Sequence, residues 1–235
     1  MNERSLRLPT FGGASVPVAQ RQALGAKIMN ILEAKDYFHD LISATKKYCP
    51  DRTPLSFVLA ACFVDYFSKM VKGKDKRGRG YKDFVRKYMK EVRPEYATFR
   101  YSTGVQDLHV QMYHVLRCGI VHSFSLVPDK SGPKRPFYLR LCTLRFSGKT
   151  NHKQPGRDHP IALCHKAEAD QKGLKHLQHY TGPRNLDAAL FVIEDFLDDL
   201  LAVNDLIYKK AVGDGTLRDK IEGWLRVSPP IRGGY

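Results

Sequence analysis

Residues 115–124 read VLRCGIVHSF, an apolar segment that places a fixed cation, Arg117, five positions before a titratable imidazole, His122. Just upstream, Thr103 and Gln106 have the spacing of a capping box, and Val105, Leu108, Met112, Val115 and Gly119 continue one apolar stripe. That spacing predicts a helix through the quoted segment, ended at the latest by Pro128. On an ideal helix, side chains five apart diverge by roughly 140°, so Arg117 and His122 are not an i, i+4 pair. A site using both needs two copies of the chain brought together, or a distortion near Gly119.

Outward from this segment the chain reads mostly helical. From about Val18 to Tyr48, Leu24, Ile28, Ile31, Phe38, Leu41 and Ile42 recur at helical spacing and predict a long amphipathic helix. Thr53 and Pro54 suit an N-cap and first helical residue. LSFVLAACFVDYFSKMV then reads as a central helix, apolar nearly all round, with Asp65 as its conspicuous polar residue. After the basic, glycine-punctuated KGKDKRGRG, the run YKDFVRKYMKEV puts Tyr81, Phe84, Val85, Tyr88, Met89 and Val92 on one face and Lys and Arg on the other. Between about 124 and 165 the pattern changes, and RPFYLRLCTLRF and PIALC predict a small β excursion. From Asn185 as N-cap, LDAALFVIEDFLDDLLAVNDLIYKK predicts a helix with Leu186, Leu190, Ile193, Leu197, Leu200 and Ile207 on its apolar side. TLRDKIEGWL predicts a shorter helix from Thr216, burying Leu217, Ile221 and Trp224 or Leu225.

The expected organisation is a loose segment over 1–17, one domain over 18–226 with the β insertion at about 124–165, and a flexible tail over 227–235. At 235 residues and 43% hydrophobic content the chain can fill a real core, which excludes a disordered polycation. Lys and Arg outnumber Asp and Glu 39 to 24, and a net charge of +15 draws the molecule towards polyanions. No run reaches the roughly 20 apolar residues of a membrane span, and MNERSLRLPTFGG lacks the apolar core of a signal peptide, so a cytoplasmic protein without a membrane partner is expected. Five widely spaced cysteines, with no CxxC pair, suit buried reduced thiols better than a disulfide framework.

The R-x-x-x-x-H pattern in YHVLRCGIVHSF resembles the signature of the HEPN superfamily. The resemblance extends to the order of segments: the apolar helix at 55–71, the break at KGK, FVRKYM and then LRCGIVHS. It covers roughly residues 20–126 and, more loosely, the helix at 186–210. It implies a mainly α, HEPN-like helical bundle, usually a homodimer in which two Arg and His motifs meet in a cleft. In active members that cleft is a metal-independent endoribonuclease, often with a toxin, phage-defence or RNA-processing role, and a toxin implies an antitoxin or other regulatory partner. Other members are catalytically silent modules that bind RNA or protein. Arg117 and His122 match the two signature positions, while Cys118 stands where the family often has a polar residue such as Asn.

The chemistry of the residues agrees with that implication. RNA scission removes a proton from a 2′-hydroxyl and stabilises charge on a crowded phosphate. Histidine moves protons near neutral pH, and arginine offers permanently charged donors matched to phosphate oxygens without a metal or other cofactor. Asp65, if its helix touches the motif helix, can orient His122 or pair with Arg117, and can equally cap a buried polar contact; with Cys118 it is a supporting position. The competing reading makes Arg117 an ordinary ion-pair partner and His122 a hydrogen-bonded core residue. Lys72, Lys74, Lys76, Arg77, Arg79, Lys82, Arg86 and Lys87 form the densest basic cluster, and Tyr81 and Phe84 between them suggest phosphate contact with base stacking. His152, His159, Cys164, His165, His176 and His179 match no common zinc spacing, so no metal site is expected. TLRFSGKT lacks the first glycine of a P-loop, its place being taken by Thr143. A DNA-binding accessory role fits the charge but has no helix-turn-helix signature.

Overall fold

The computed structural model of the chain describes residues 29–48, 53–73, 78–101, 107–113, 116–117, 142–144, 161–182 and 186–228. The first described helix, α1 (Ile31–Tyr48), starts where Asn30 and Glu33 cap each other. The Asn30 side chain accepts the Glu33 N–H at 2.8 Å, and Glu33 accepts the Asn30 N–H at 3.2 Å. Of the helix expected from Val18, the described part begins at Ile31, after non-helical Met29 and Asn30; Leu24 and Ile28 lie outside the described residues. Ala34, Phe38, Ile42 and Thr45 form its buried stripe, while Leu41, expected in the stripe, is exposed.

The second helix, α2 (Thr53–Lys72), is central as its composition predicts. Phe57, Ala60, Ala61, Val64 and Phe67 are all buried, and each fully buried phenylalanine contributes about 1.5–3 kcal/mol relative to exposure. It packs on α3 (Arg79–Phe84), α8 (Ile193–Gly213) and α9 (Gly215–Val227). Between α3 and α4 (Lys90–Val92) the chain is wound as a π-turn over Val85–Met89, which the apolar spacing did not foretell. Of the face the sequence places inward, Tyr81, Phe84, Val85 and Met89 are buried, while Tyr88 and Val92 are only half-buried. A short α5 (Glu95–Thr98) follows. Asp214 caps α9 by accepting the Leu217 N–H at 3.0 Å, and Leu217, Ile221 and Leu225 turn inward.

A small sheet completes the fold, with β1 (Cys142–Leu144), β2 (Ile161–Cys164), β3 (His179–Gly182) and β4 (Leu186–Val192) in the order β1-β2-β4-β3. β2 runs parallel to β4, with Ile161 opposite Ala189; the outer pairings are antiparallel. The sheet thus extends beyond residue 165, and Leu186–Val192 is a strand where a helix capped by Asn185 is expected. The reason is burial on both faces. Ile161, Leu163, Ala189 and Phe191 join the main helical core, whereas Ala162, Cys164, Ala188, Leu190 and Val192 pack with Ala169 of α7 (Lys166–Gln171). A strand covered on both sides loses its apolar–polar alternation, so its leucines fell into helical register with those of the following helix. The helix itself starts at Ile193, with Glu194 and Asp195 in the first turn, where carboxylates suit the helix dipole.

A buried polar network joins sheet to bundle. Asp199 of α8 accepts from Arg93 twice, Nε at 2.8 Å and Nη2 at 3.0 Å, and from the Tyr96 hydroxyl at 2.9 Å. The Val192 N–H donates to His176 Nδ1 at 3.0 Å, which leaves Nε2 as the protonated nitrogen of the neutral ring. That Nε2 faces the Tyr96 oxygen at 3.3 Å and Asp199 at 3.4 Å. Burial raises the Asp199 carboxyl, but the His176 and Arg93 donors outweigh it and hold it below the usual carboxylate range. Burial also pushes the His176 imidazole down, against the pull of Asp199.

Candidate functional site

Arg117 belongs to the turn that continues α6 (Leu108–Met112). Leu108, Met112 and Leu116 anchor that helix in the core. Their spacing puts His109, Tyr113 and Arg117, at i, i+4 and i+8, along one adjoining face. Tyr113, Leu116 and Arg117 are wound as π-helix rather than α.

The anchor of Arg117 is Asp65 on α2. Arg117 Nε donates to Asp65 Oδ1 at 2.9 Å, and Nη1 donates to the Tyr113 hydroxyl at 3.2 Å. The guanidinium carbon also lies 5.3 Å from the Tyr113 ring centroid. Lys69, one turn along α2, pairs with the other oxygen of Asp65. Asp65 is buried at 7% exposure, so its charge acts at low dielectric and fixes both cations. Lys82 of α3 sets its ammonium 4.9 Å from the Tyr113 centroid, and Tyr81 meets the same ring edge-on at 5.7 Å. Three cations thus surround one carboxylate and one phenol, a locally positive cluster suited to phosphate.

Glycine 78 makes this arrangement possible. Its φ is +67°, and a Cβ there would stand 1.9 Å from Tyr113 Cε2. Only a residue without a side chain lets the loop close against the ring. Cys62, exposed one turn before Asp65, has its thiol pushed up by partial burial and by the Asp65 charge.

Of the sequence-derived site residues, the structure joins Asp65 and Arg117; His122 and Cys118 lie outside the described residues, as do Lys74, Lys76 and Arg77. Among the described residues, the other basic side chains do not all gather at Arg117. Lys82 joins the Arg117 cluster, whereas Lys72 lies 5.5 Å from the Tyr88 centroid and shares that ring with Lys210. Partial burial and the nearby Lys87 and Lys220 charges push the Lys72 ammonium down. Arg79, Arg86 and Lys87 are exposed, Arg86 with Asp83 at 3.6 Å. Tyr81 and Phe84 are core side chains at 3% and 0% exposure, which removes them as base-stacking platforms.

Tyr113, Lys69 and Gly78 were missed by the sequence reading. The i, i+4 spacing of Tyr113 to Arg117, and of Asp65 to Lys69, was the available signal. His152 and His159 lie outside the described residues; Cys164 and His176 are buried and His165 pairs with Glu194 at 3.2 Å. Among the described residues no group of three His, Cys, Asp or Glu is placed to hold a metal ion, and no helix is long and apolar enough to cross a membrane. No protein-family model, curated protein or solved structure matches the chain.

Proposed function

We propose that the chain is a HEPN-like, metal-independent endoribonuclease that acts as a homodimer. The observation that carries this reading is the clamping of Arg117, a signature position, by Asp65 and Tyr113 inside a positive cluster. In this reading Arg117 holds the scissile phosphate. The 2′-oxygen attacks phosphorus as its proton is removed, and the bond to the 5′-oxygen breaks as that oxygen is protonated; His122 is the general base or acid of this exchange, with water as the opposite partner. A toxin or phage-defence setting with a regulatory partner follows from the resemblance alone.

A second reading, a silent RNA- or protein-binding module, is favoured by the same ion pair, since an arginine committed to a buried carboxylate also serves packing. The test is the product. Cleavage of labelled RNA in excess chelator should leave 2′,3′-cyclic phosphate and 5′-hydroxyl ends, and a fully 2′-O-methylated strand should remain whole. Binding of both strands without scission would favour the silent module.

A further inference from the structure

In the Arg117 cluster, three cations against the single Asp65 carboxylate leave two positive charges uncompensated among the described residues. Arg117 and Lys69 occupy the two carboxylate oxygens between them. Lys82 has no share in that carboxylate. Its ammonium makes no ion pair or hydrogen bond among the described residues, and its contact is with the Tyr113 ring, 4.9 Å from the centroid.

The backbone sets the ammonium there. The Gly78 carbonyl accepts the Lys82 N–H at 3.1 Å, so the glycine that closes on Tyr113 also starts the helix turn that carries the lysine. Tyr81, the preceding residue, is buried and meets the same ring edge-on at 5.7 Å, which holds α3 against the end of α6. An aromatic face attracts an ammonium without neutralising it, so Lys82 keeps its charge beside a guanidinium of the same sign. Both side chains are half-buried, where that repulsion is less screened than in open solvent.

The shared ring also bounds the spacing. The Arg117 guanidinium carbon lies 5.3 Å and the Lys82 nitrogen 4.9 Å from one centroid, so the two cations are at most about 10 Å apart. A nucleic-acid strand carries one negative charge per nucleotide, and its consecutive phosphates fall within that span. One phosphate on Arg117 would balance only half of the excess charge; two consecutive phosphates balance both halves.

We propose that Lys82 takes the phosphate next to the one Arg117 holds, so that the substrate is an RNA strand with at least two consecutive phosphates and not an isolated dinucleotide step. This rests on the RNA-cleaving reading above.

The test uses the full chain and two substrates built on a step at which it cuts labelled RNA: the dinucleoside monophosphate, and the same dinucleotide bearing a phosphate at each end. In the unmutated chain the end phosphates should raise kcat/KM about tenfold or more, the lower end of what a charge-assisted contact contributes. Lys82→Gln should cut that gain to less than about threefold, and Lys82→Arg, which keeps the charge and the ring contact, should retain it. Lys90→Gln, at an exposed side chain of α4, removes the same charge elsewhere and should alter the gain less than about twofold. A folding defect lowers both substrates together, so the ratio reads the contact itself. No gain from the end phosphates, a gain unchanged in Lys82→Gln, or one lowered equally by Lys90→Gln would overturn the second phosphate position and leave the nuclease reading standing. Failure of the unmutated chain to cut any RNA would overturn both.

Discussion

Replacing Asp199 by alanine should be among the most damaging single changes in the bundle. The carboxylate is 4% exposed and receives two bonds from Arg93 and one from Tyr96, with His176 Nε2 at 3.4 Å. Removing it strands the buried Tyr96 hydroxyl proton, at about 1–3 kcal/mol, and leaves the His176 N–H only the Tyr96 oxygen at 3.3 Å. Arg93 is about one-third exposed, so water screens its share, which we discount to under about 1 kcal/mol. The expected loss is about 2–4 kcal/mol, or a fall in Tm of roughly 4–16 °C for a chain of this size. Its sequence neighbour Asp198 provides the control. Asp198 pairs with Lys46 at 2.5 Å, but the two side chains are 48% and 37% exposed, and alanine there should cost less than about 1 kcal/mol. Urea denaturation of the two variants, followed by tryptophan fluorescence and circular dichroism, gives the comparison. Equal losses, or a loss below about 1 kcal/mol for Asp199→Ala, would refute the assignment of that network as an interior constraint.

Three further outcomes follow from the geometry. Gly78→Ala should lower stability by about 2–4 kcal/mol, from its left-handed backbone and from the collision with Tyr113, and should reduce RNA cleavage with it; a thermal melt and a cleavage assay check both. Asp65→Asn keeps the shape of the clamp but removes the charge that Arg117 and Lys69 share, costing about 1.5–3 kcal/mol in urea titration and weakening cleavage. The pH dependence has a definite sign. His176 is held below its unfolded value, so its contribution is fully present above about pH 6.5 and is lost as pH falls through the folded value; Asp199, also held down, adds a further loss at lower pH as it falls below its own range. The urea midpoint should therefore decline from pH 7 to pH 5, and His176→Gln should flatten that decline.

Much of the bundle was legible because helices covered on one side display their period. Phe38 with Ile42, the Tyr81 to Met89 face and Leu217 with Ile221 and Leu225 all bury as their spacing dictates. β4 was illegible for the complementary reason, its residues Ala188 to Val192 being buried on both faces, which leaves no periodic signal to separate strand from helix. At the site, the contact of Asp65 with Arg117 was within reach as one of two partners weighed for Asp65, because a lone carboxylate in an apolar helix demands a cation. The closeness of Gly78 to Tyr113 and the place of Lys82 over that ring were not, since both arise from how α3 and α6 approach each other and not from either segment alone.

The central claim is that Arg117 and His122 are the chemistry of an RNA-cleaving cleft. It is tested most directly by incubating labelled RNA in chelator with the wild-type chain, Arg117→Ala and His122→Ala, each purified identically and shown to be folded. The account predicts scission by the wild type and a loss of at least about a hundredfold in both variants, the lower end of what a positioned acid–base group contributes. Equal scission by all three proteins, or none by the wild type, would contradict it.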